Sequence, residues 1–502
     1  MRQSRIGINI ATSLLQQAVA VVCGFIVPRL ILGAYGAAYH GIVNSVTQFL
    51  SCVTLLRAGI GGVTRAALYR SLAENDLEKT SAIVKATEQF MRKIALIFSG
   101  ALLVFAAVYP FLVKEEFDWL FSFSLVLILG ISTVVQYYFG ITNQFLLHTD
   151  QRLYISNLWQ TVATILNTLL TVFLIRAGCG IHIAKLGSAV AYSLTPIMLF
   201  VYVRRRYSLR RDVAPDYGAL QQRWDAFAHQ LAAFIHSNTD IMVLTVFTNM
   251  KQVSVYSVYS AVVGSLSGLI ASAANAVEAT LGKLLANANR ALLKEKVDIY
   301  ELIIHIIGTI IFSCAAILIV PFVMVYTAGV QEVNYNQPAM GYLMCLAYWL
   351  TVIRLPYQNV IEAAGHFKET KGIAITEAVL NVGLSCVLVA ACGTVGVVIG
   401  TVVAMAYRTV CYAIYASKKL LGQNILCFVK RLLVSILALA AIFAPIFLFH
   451  MEEKLLQAAT GYLEWIMVAF VVFFYVATVT AAINGVCYFD KMKKLIRVFL
   501  KK

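Results

Sequence analysis

The sequence predicts an all-α polytopic membrane protein with about fourteen transmembrane helices. Its mean hydropathy is +0.80, and 60% of its 502 residues are apolar. The apolar residues form continuous runs of roughly 20, the length that crosses a bilayer as a helix. Continuous rather than alternating runs favour helices over barrel strands. The predicted spans are 6–28, 41–61, 94–113, 119–141, 154–175, 183–203, 227–247, 254–276, 303–325, 340–361, 372–391, 395–416, 432–450 and 462–486.

The basic residues predict the orientation of these spans. Of the 40 Lys and Arg residues, 31 lie in one set of alternate segments between the spans. The other set holds five: Arg29, Lys114, Arg176, Lys251 and Lys454. By the positive-inside rule, both termini face the cytoplasm and the number of spans is even. The net charge of +16 is therefore a topology signal, and no nucleic-acid partner is expected.

Several classes of chemistry lack their sequence signatures. The ten cysteines are scattered without a CxxC pair, so neither a metal site nor a disulfide framework is indicated. No phosphate-binding Walker loop is present, so no ATP-driven engine is expected. The longest outer loop, 326–339, carries one acid, Glu332. We therefore expect a protein that is not an enzyme and has no cofactor beyond H⁺ or Na⁺ as a coupling ion.

An internal repeat organises the spans. The two halves match at an offset of 211 to 214 residues, which covers six spans. An even number of spans gives a parallel repeat, one of the standard plans of transporters. The matching pairs are 108–111 with 319–322, 66–73 with 279–286, and 166–167 with 380–381. The predicted domains are an N-terminal lobe at 1–203 (spans 1–6), a cytoplasmic connector at 204–226, a C-terminal lobe at 227–416 (spans 7–12), and spans 13–14 with a basic cytoplasmic tail at 417–502.

Three arginines are predicted at membrane depth. Arg57 lies in span 2, Arg354 in span 10 and Arg408 in span 12. A charge at the centre of a membrane helix costs about 2.5–3.5 kcal/mol on insertion scales, so it normally faces a cavity or a partner. Because the guanidinium group suits phosphate, these residues are candidates for binding a diphosphate. The alternative is that they reach the inner headgroups or pair with Glu377.

Two acids are also predicted inside the bilayer. Asp240 lies in span 7 and Glu377 in span 11. Either is a candidate for binding H⁺ or Na⁺ as a coupling ion. A packing role for Asp240, bonded to Asn238 or Thr239, is an equally open alternative.

Amide side chains occur in the first two spans. Such donors suit sugar hydroxyls if they line a cavity, although polar packing between helices explains them equally well. The candidate glycan-binding residues are Asn9, Gln16 and Gln17 in span 1 and Asn44 and Gln48 in span 2.

Short motifs distributed along the chain carry a resemblance to a known family. They are Leu32-Gly33 with Tyr35-Gly36, SNTD at 237–240, VSVYSVY at 253–259, RLPY at 354–357, AAGHFK at 363–368, and Gly400-Thr401 followed by Tyr407-Arg408. Taken in order, over essentially the full length, they resemble the oligosaccharide flippase branch of the multidrug/oligosaccharidyl-lipid/polysaccharide (MOP) exporter superfamily. Members often place an acid in an LLDLG-like run late in span 2, where this chain has Arg57 in LLRAG.

The resemblance implies a fold, a function and partners. The fold would be that of multidrug and toxin extrusion (MATE) transporters, with two six-helix lobes followed by a helix pair. The function would be to flip a polyprenyl-diphosphate oligosaccharide across the bacterial cytoplasmic membrane by alternating access, for surface polysaccharide biosynthesis. The implied partners are the lipid-linked oligosaccharide, membrane lipids, a polysaccharide polymerase and glycosyltransferases.

Three alternatives to this function stay open at the level of sequence. A peptidoglycan lipid-precursor flippase shares the fourteen spans and the cationic cavity. A MATE-type drug/cation antiporter would require acids in the first lobe, where this chain has Arg57. A membrane-embedded glycosyltransferase or polymerase would need a cluster of catalytic carboxylates.

Overall fold

The described residues of the chain form helices joined by short connections. The computed structural model describes residues 2–51, 54–74, 76–113, 116–210, 212–218, 238–286, 290–489, 491 and 493. The helices are Arg2–Tyr35 (α1), Ala37–Leu50 (α2), Thr54–Ala73 (α3), Leu77–Leu112 (α4), Trp119–Val135 (α5), Ile141–Thr149 (α6), Leu153–Arg176 (α7), Ile181–Arg206 (α8), Asn238–Phe247 (α9), Met250–Ala286 (α10), Arg290–Tyr326 (α11), Pro338–Ala363 (α12), Phe367–Tyr415 (α13), Leu426–Leu448 (α14), Met451–Ala458 (α15) and Tyr462–Cys487 (α16). Two π-helical turns, Gln136–Gly140 and Ala416–Leu421, follow α5 and α13.

Many of these helices are long enough to cross a membrane. Among the described residues, 11 helical segments have the length and apolar composition of membrane spans. Predicted span 2 corresponds to the two helices α2 and α3, and the described part of span 7 is α9. The all-α polytopic membrane fold predicted from the sequence is confirmed.

The longest segment, α13, contains two predicted spans. Gly393 has a positive φ of 57° and interrupts the helix, a conformation that glycine adopts without steric cost. A Cβ at Gly396 would come within 2.1 Å of the Leu388 carbonyl oxygen, so the two arms are in close contact. Asn381 donates a 3.1 Å hydrogen bond from one arm to Thr401 in the other. Spans 11 and 12 are therefore a helical hairpin with its tip at Gly393.

Two helices extend well beyond their predicted spans. α4 begins at Leu77 rather than 94, and α11 begins at Arg290 rather than 303. The Asp76 carboxylate accepts a 2.9 Å hydrogen bond from the Lys79 backbone and caps α4, as acidic N-cap residues do. Hydropathy detects only the part of a helix that suits lipid, so it misses the charged turns before that part.

The described residues group into two compact units, Met1–Ser254 and Val255–Lys502. In the first unit (unit 1), α7 packs against both α1 and α8, and α5 packs against α4 and α8. In the second (unit 2), α12 packs against α11 and α13, and α11 also contacts α14 and α16. The predicted domain boundaries stay predictions, and residues 219–226 of the connector lie outside the described residues.

Within unit 1, helix α2 packs closely on α9 and the start of α10. Ser45 accepts hydrogen bonds of 2.8 Å from the hydroxyl groups of Tyr109 and Thr245. The His40 Nδ1 atom lies 2.8 Å from the Ser254 hydroxyl. A Cβ added at Gly41 would lie 1.8 Å from the Met250 carbonyl oxygen. The absence of a side chain at position 41 therefore sets the distance between these two helices.

We predict that Gly41→Ala destabilises the protein, because the added methyl group would push the α2 backbone away from the backbone at Met250. Overpacking of this kind costs about 1–3 kcal/mol. Thermal unfolding of the purified protein in detergent measures the loss. Gly100→Ala is the matched control, since nothing lies within 4 Å of a Cβ at that position. Equal unfolding temperatures for both variants would contradict the close approach of α2 to Met250.

A buried network of charges lies within unit 2. Arg431 of α14 lies 2.7 Å from Glu301 of α11 and also pairs with Asp298. The Tyr357 hydroxyl donates a 2.5 Å hydrogen bond to Glu301, and Lys491 lies 2.6 Å from Asp298. Arg431 and Glu301 are almost fully buried, at 3% and 1% exposure. The network joins α14, α12 and the residues after α16 to the charged first turns of α11.

Candidate functional site

Unit 1 contains an open cavity of about 560 Å³, lined by both polar and apolar residues, between α1, α2, α5, α7 and α8. Its polar lining consists of Gln16, Cys23, Thr47, Ser51, Ser132, Thr133, Gln160, Thr164, Asn167, Lys185, Ser188 and Tyr192. The remaining lining residues are aliphatic, glycine or proline side chains. The lining therefore combines amides, hydroxyls and one cation with apolar surface.

A second cavity of about 420 Å³ adjoins the first. Gln16, Ser132, Thr133, Gln160 and Tyr192 line both. The second cavity adds further amides and hydroxyls, namely Gln136, Tyr137, Gln144, Ser156 and Asn157. We treat the two together as the unit 1 cavity.

A stripe of polar residues on α7 forms one wall of the unit 1 cavity. Ser156, Gln160, Thr164 and Asn167 follow one another at intervals of three or four residues, which places them on one helix face. At 1.5 Å per residue the stripe is roughly 16 Å long. Asn167 donates a 3.3 Å hydrogen bond to the Tyr192 hydroxyl on α8. The wall thus runs through about half the thickness of a bilayer core.

Lys185 is the charged residue of this cavity. It lies in the second turn of α8 and is only 9% exposed. No described residue that lines either cavity is acidic, and no described carboxylate forms an ion pair with Lys185. An unpaired cation is costly in such surroundings, and intramembrane charges usually mark functional sites. Lys185 gives the cavity the chemistry to attract an anion.

Lys185 is not among the site residues that the sequence predicts. Predicted span 6 starts at 183, so Lys185 lies only two residues from the end of that span. A usable signal was present, because Lys185, Ser188 and Tyr192 recur at helical spacing on one face of α8. The polar stripe on α7 shows the same periodicity and is likewise not among the predicted site residues.

The candidate residues of α1 differ in their placement. Gln16 lines both parts of the unit 1 cavity. Asn9 instead donates a 3.0 Å hydrogen bond to the Gln151 carbonyl and accepts one of 2.8 Å from the Tyr154 backbone. Gln17 is partly buried in α1 and is not among the lining residues of either cavity.

The two candidates of α2 make contacts between and within helices. Asn44 donates a 2.9 Å hydrogen bond to the His40 carbonyl, one turn earlier. Gln48 hydrogen-bonds with Asn238 of α9. Neither residue lines the unit 1 cavity, whereas their neighbours Thr47 and Ser51 do.

The arginine candidates of unit 2 lie on α12 and α13. Arg354 is 3% exposed, and its Nε donates a 3.3 Å hydrogen bond to Gln358. Arg408 forms a 2.7 Å ion pair with Glu377. Arg408 therefore already has an acidic partner, as the alternative interpretation of the sequence anticipated.

Two further candidates lie in unit 1. Arg57 belongs to α3, and its side chain lies outside the described residues, so its part in binding a diphosphate stays a prediction. Asp240 lies in α9, partly buried. Its neighbour Asn238 is the residue that bonds Gln48. Among the described residues, no group of three His, Cys, Asp or Glu side chains is arranged to hold a metal.

The fold is shared with solved membrane transporters. The lipid II flippase MurJ in an inward-closed conformation matches with a TM-score of 0.71 and 15% identity, covering 96% of this chain and 99% of that chain. An inward-facing multidrug resistance MATE transporter of the MOP superfamily matches at 0.65 and 14% identity, covering 80% of this chain and 94% of that chain. A MOP superfamily transporter from Pyrococcus furiosus matches at 0.56 and 14% identity, covering 84% and 96%.

At these identities the likeness establishes the fold. No model of a protein family matches the sequence, and no curated protein matches it.

Proposed function

We propose that the chain is a transporter that flips a lipid-linked oligosaccharide, carried on a polyprenyl diphosphate, from the inner to the outer leaflet by alternating access. The observation that carries this proposal is the composition of the unit 1 cavity. It offers amides and hydroxyls for a glycan and one buried lysine for an anion.

The neutral polar groups suit a sugar. Amide and hydroxyl side chains both donate and accept hydrogen bonds, as sugar hydroxyl groups do. The stripe from Ser156 to Asn167 presents such groups along a length of several sugar rings. A glycan bound in the cavity would exchange hydrogen bonds with these groups through its own hydroxyl groups.

Lys185 suits the diphosphate. An ammonium group forms strong charge-assisted hydrogen bonds with phosphate oxygens. Since the described lining holds no acid to neutralise Lys185, a substrate with negative charge complements the cavity better than a cation. This argues against the drug/cation antiporter, whose substrates would require an acid in the lining of this cavity.

The solved structures of the same fold include a lipid II flippase, which makes a peptidoglycan lipid precursor the second candidate substrate. The two candidates share the lipid diphosphate and differ in the glycan. A polysaccharide polymerase and glycosyltransferases are the proposed partners, and the bacterial cytoplasmic membrane, with both termini inside, is the proposed location.

A reconstitution experiment tests the proposal. Purified protein in liposomes should move a fluorescent polyprenyl-diphosphate oligosaccharide to the outer leaflet, where a membrane-impermeant glycan-cleaving enzyme reaches it. Protein-free liposomes provide the baseline. Efflux of a cationic dye without movement of the glycolipid would establish the antiporter instead.

For coupling, we propose Asp240 as the site for H⁺ or Na⁺, because acids within membrane-spanning segments commonly mark ion or proton sites. Asp240→Asn should abolish gradient-driven transport in the same liposomes while leaving glycolipid binding intact. Asp118→Asn is the control, since Asp118 is exposed and its side chain does not cap α5. Full activity of Asp240→Asn would assign this residue to helix packing.

A further inference from the structure

A separate pocket of about 280 Å³ lies in unit 1, at the end predicted to face the cytoplasm. It lies between α4, the π-helical turn Gln136–Gly140, α6, α8 and the segment 207–210. It shares no lining residue with the unit 1 cavity. Its charged lining residues are Lys85, Glu88, Arg92, Arg204 and Arg210. Four cations and one acid therefore line the pocket, and Arg210 also lies 3.9 Å from the exposed Glu78.

Two of the arginines are held over aromatic rings. Arg204 lies 4.1 Å from the centre of the Phe200 ring, and no described carboxylate forms an ion pair with it. Arg92 lies 5.0 Å from the centre of the Tyr138 ring and pairs with Glu88. Stacking of this kind orients a guanidinium group without neutralising its charge.

The segment 207–210, which forms one side of the pocket, is held by hydrogen bonds to the rest of unit 1. The Tyr207 hydroxyl donates a 2.5 Å hydrogen bond to Asp150. Burial and the hydrogen bond to Asp150 raise the pKa of Tyr207 above its ordinary value, so this donor keeps its proton. The Arg210 backbone donates to the Ser81 hydroxyl at 3.0 Å, and Lys85 donates to the Val213 carbonyl at 2.7 Å. The pocket wall is therefore part of the folded unit.

Exposed apolar surface begins beside this pocket. Leu96 and Ile97, one turn beyond Arg92 on α4, are 76% and 67% exposed. Tyr138, which lines the pocket, is itself 42% exposed. In a membrane this surface faces lipid, so a phospholipid can place its phosphate in the pocket and its acyl chains along the same face of α4.

We propose that this pocket binds the phosphate headgroup of an anionic phospholipid, with its acyl chains lying along the exposed face of α4. Basic pockets between membrane helices on the cytoplasmic side are a recurring site for anionic headgroups. The arginines supply paired N–H donors that match phosphate oxygens. The proposal does not depend on the transported substrate.

Native mass spectrometry of the full chain in detergent tests the site. Phosphatidylglycerol should be retained more than phosphatidylcholine with the same acyl chains, and free glycerol 3-phosphate should not displace it. Arg204→Gln should lower the affinity for phosphatidylglycerol about fivefold, and Arg92→Gln with Arg204→Gln should lower it further. The control, Arg205→Gln with Arg206→Gln, removes two exposed charges next to the pocket without altering its lining.

The single Arg204→Gln variant guards against misfolding, because Arg204 is exposed and makes no ion pair with a described residue. Equal losses in the Arg205/Arg206 control and the pocket variant would show unspecific charge attraction and overturn the proposal. Equal retention of the two lipids would also overturn it, as would displacement by glycerol 3-phosphate, which would assign the pocket to a soluble phosphate.

Discussion

Lys185→Gln should abolish glycolipid transport in reconstituted liposomes while the protein still folds and inserts. The substitution keeps most of the side-chain length and removes the charge of the cavity. A neutral amide cannot form the charge-assisted bonds that we expect between Lys185 and the diphosphate, and such bonds are roughly twice as strong as neutral ones. Lys185→Arg keeps the charge and should retain part of the activity.

The matched control for this variant is Arg176→Gln. Arg176 is an exposed cation at the end of α7 and does not line the cavity. The Arg176→Gln variant should transport the glycolipid at the same rate as the unaltered protein. If Lys185→Gln also transported normally, the cavity lysine would have no part in substrate binding, and the anionic substrate would rest on resemblance alone.

Arg431→Met should cause the largest loss of stability among the variants considered. Breaking a buried ion pair by removing one partner costs about 3–5 kcal/mol, because the other charge stays buried without compensation. Here Glu301, at 1% exposure, would retain Tyr357 as a neutral donor and lose its cation. Thermal unfolding in detergent and the yield of monodisperse protein measure this loss.

Two further variants separate the buried pair from general effects of charge. Lys430→Met removes the adjacent exposed cation and should unfold at nearly the same temperature as the unaltered protein. Glu301→Gln combined with Arg431→Met removes both buried charges and should recover part of the lost stability. A double variant no more stable than Arg431→Met would show that the Arg431 guanidinium acts mainly through Asp298.

The fold class was predictable because a bilayer imposes a simple rule on sequence. Every span must be long and apolar, so hydropathy finds it without knowledge of its neighbours. The charged first turns of α4 and α11 were not predictable in this way, because tertiary contacts such as the pairing of Glu301 with Arg431 stabilise them. Both partners of that pair lay just outside their predicted spans.

The candidate site was predictable only in part. Gln16 and Gln48 look alike in the sequence, since both are amides on a polar helix face. The structure places Gln16 at the cavity and Gln48 against Asn238. The position of the neighbouring helix decides between these outcomes, and one sequence does not contain that information. Lys185 was not predictable as a cavity residue, because a lysine near a span end normally extends its side chain to the lipid headgroups.

Site-specific photocrosslinking tests the central claim, that the unit 1 cavity holds the glycan, most directly. A photoreactive amino acid would replace Gln160, which lines both parts of the cavity, or Leu169, which lies on the same helix and is 62% exposed. With a lipid-linked oligosaccharide labelled on its sugar, the Gln160 position should give a strong labelled adduct and the Leu169 position a weak one. An adduct at Leu169 with none at Gln160 would place the glycan outside the cavity and contradict the proposed function.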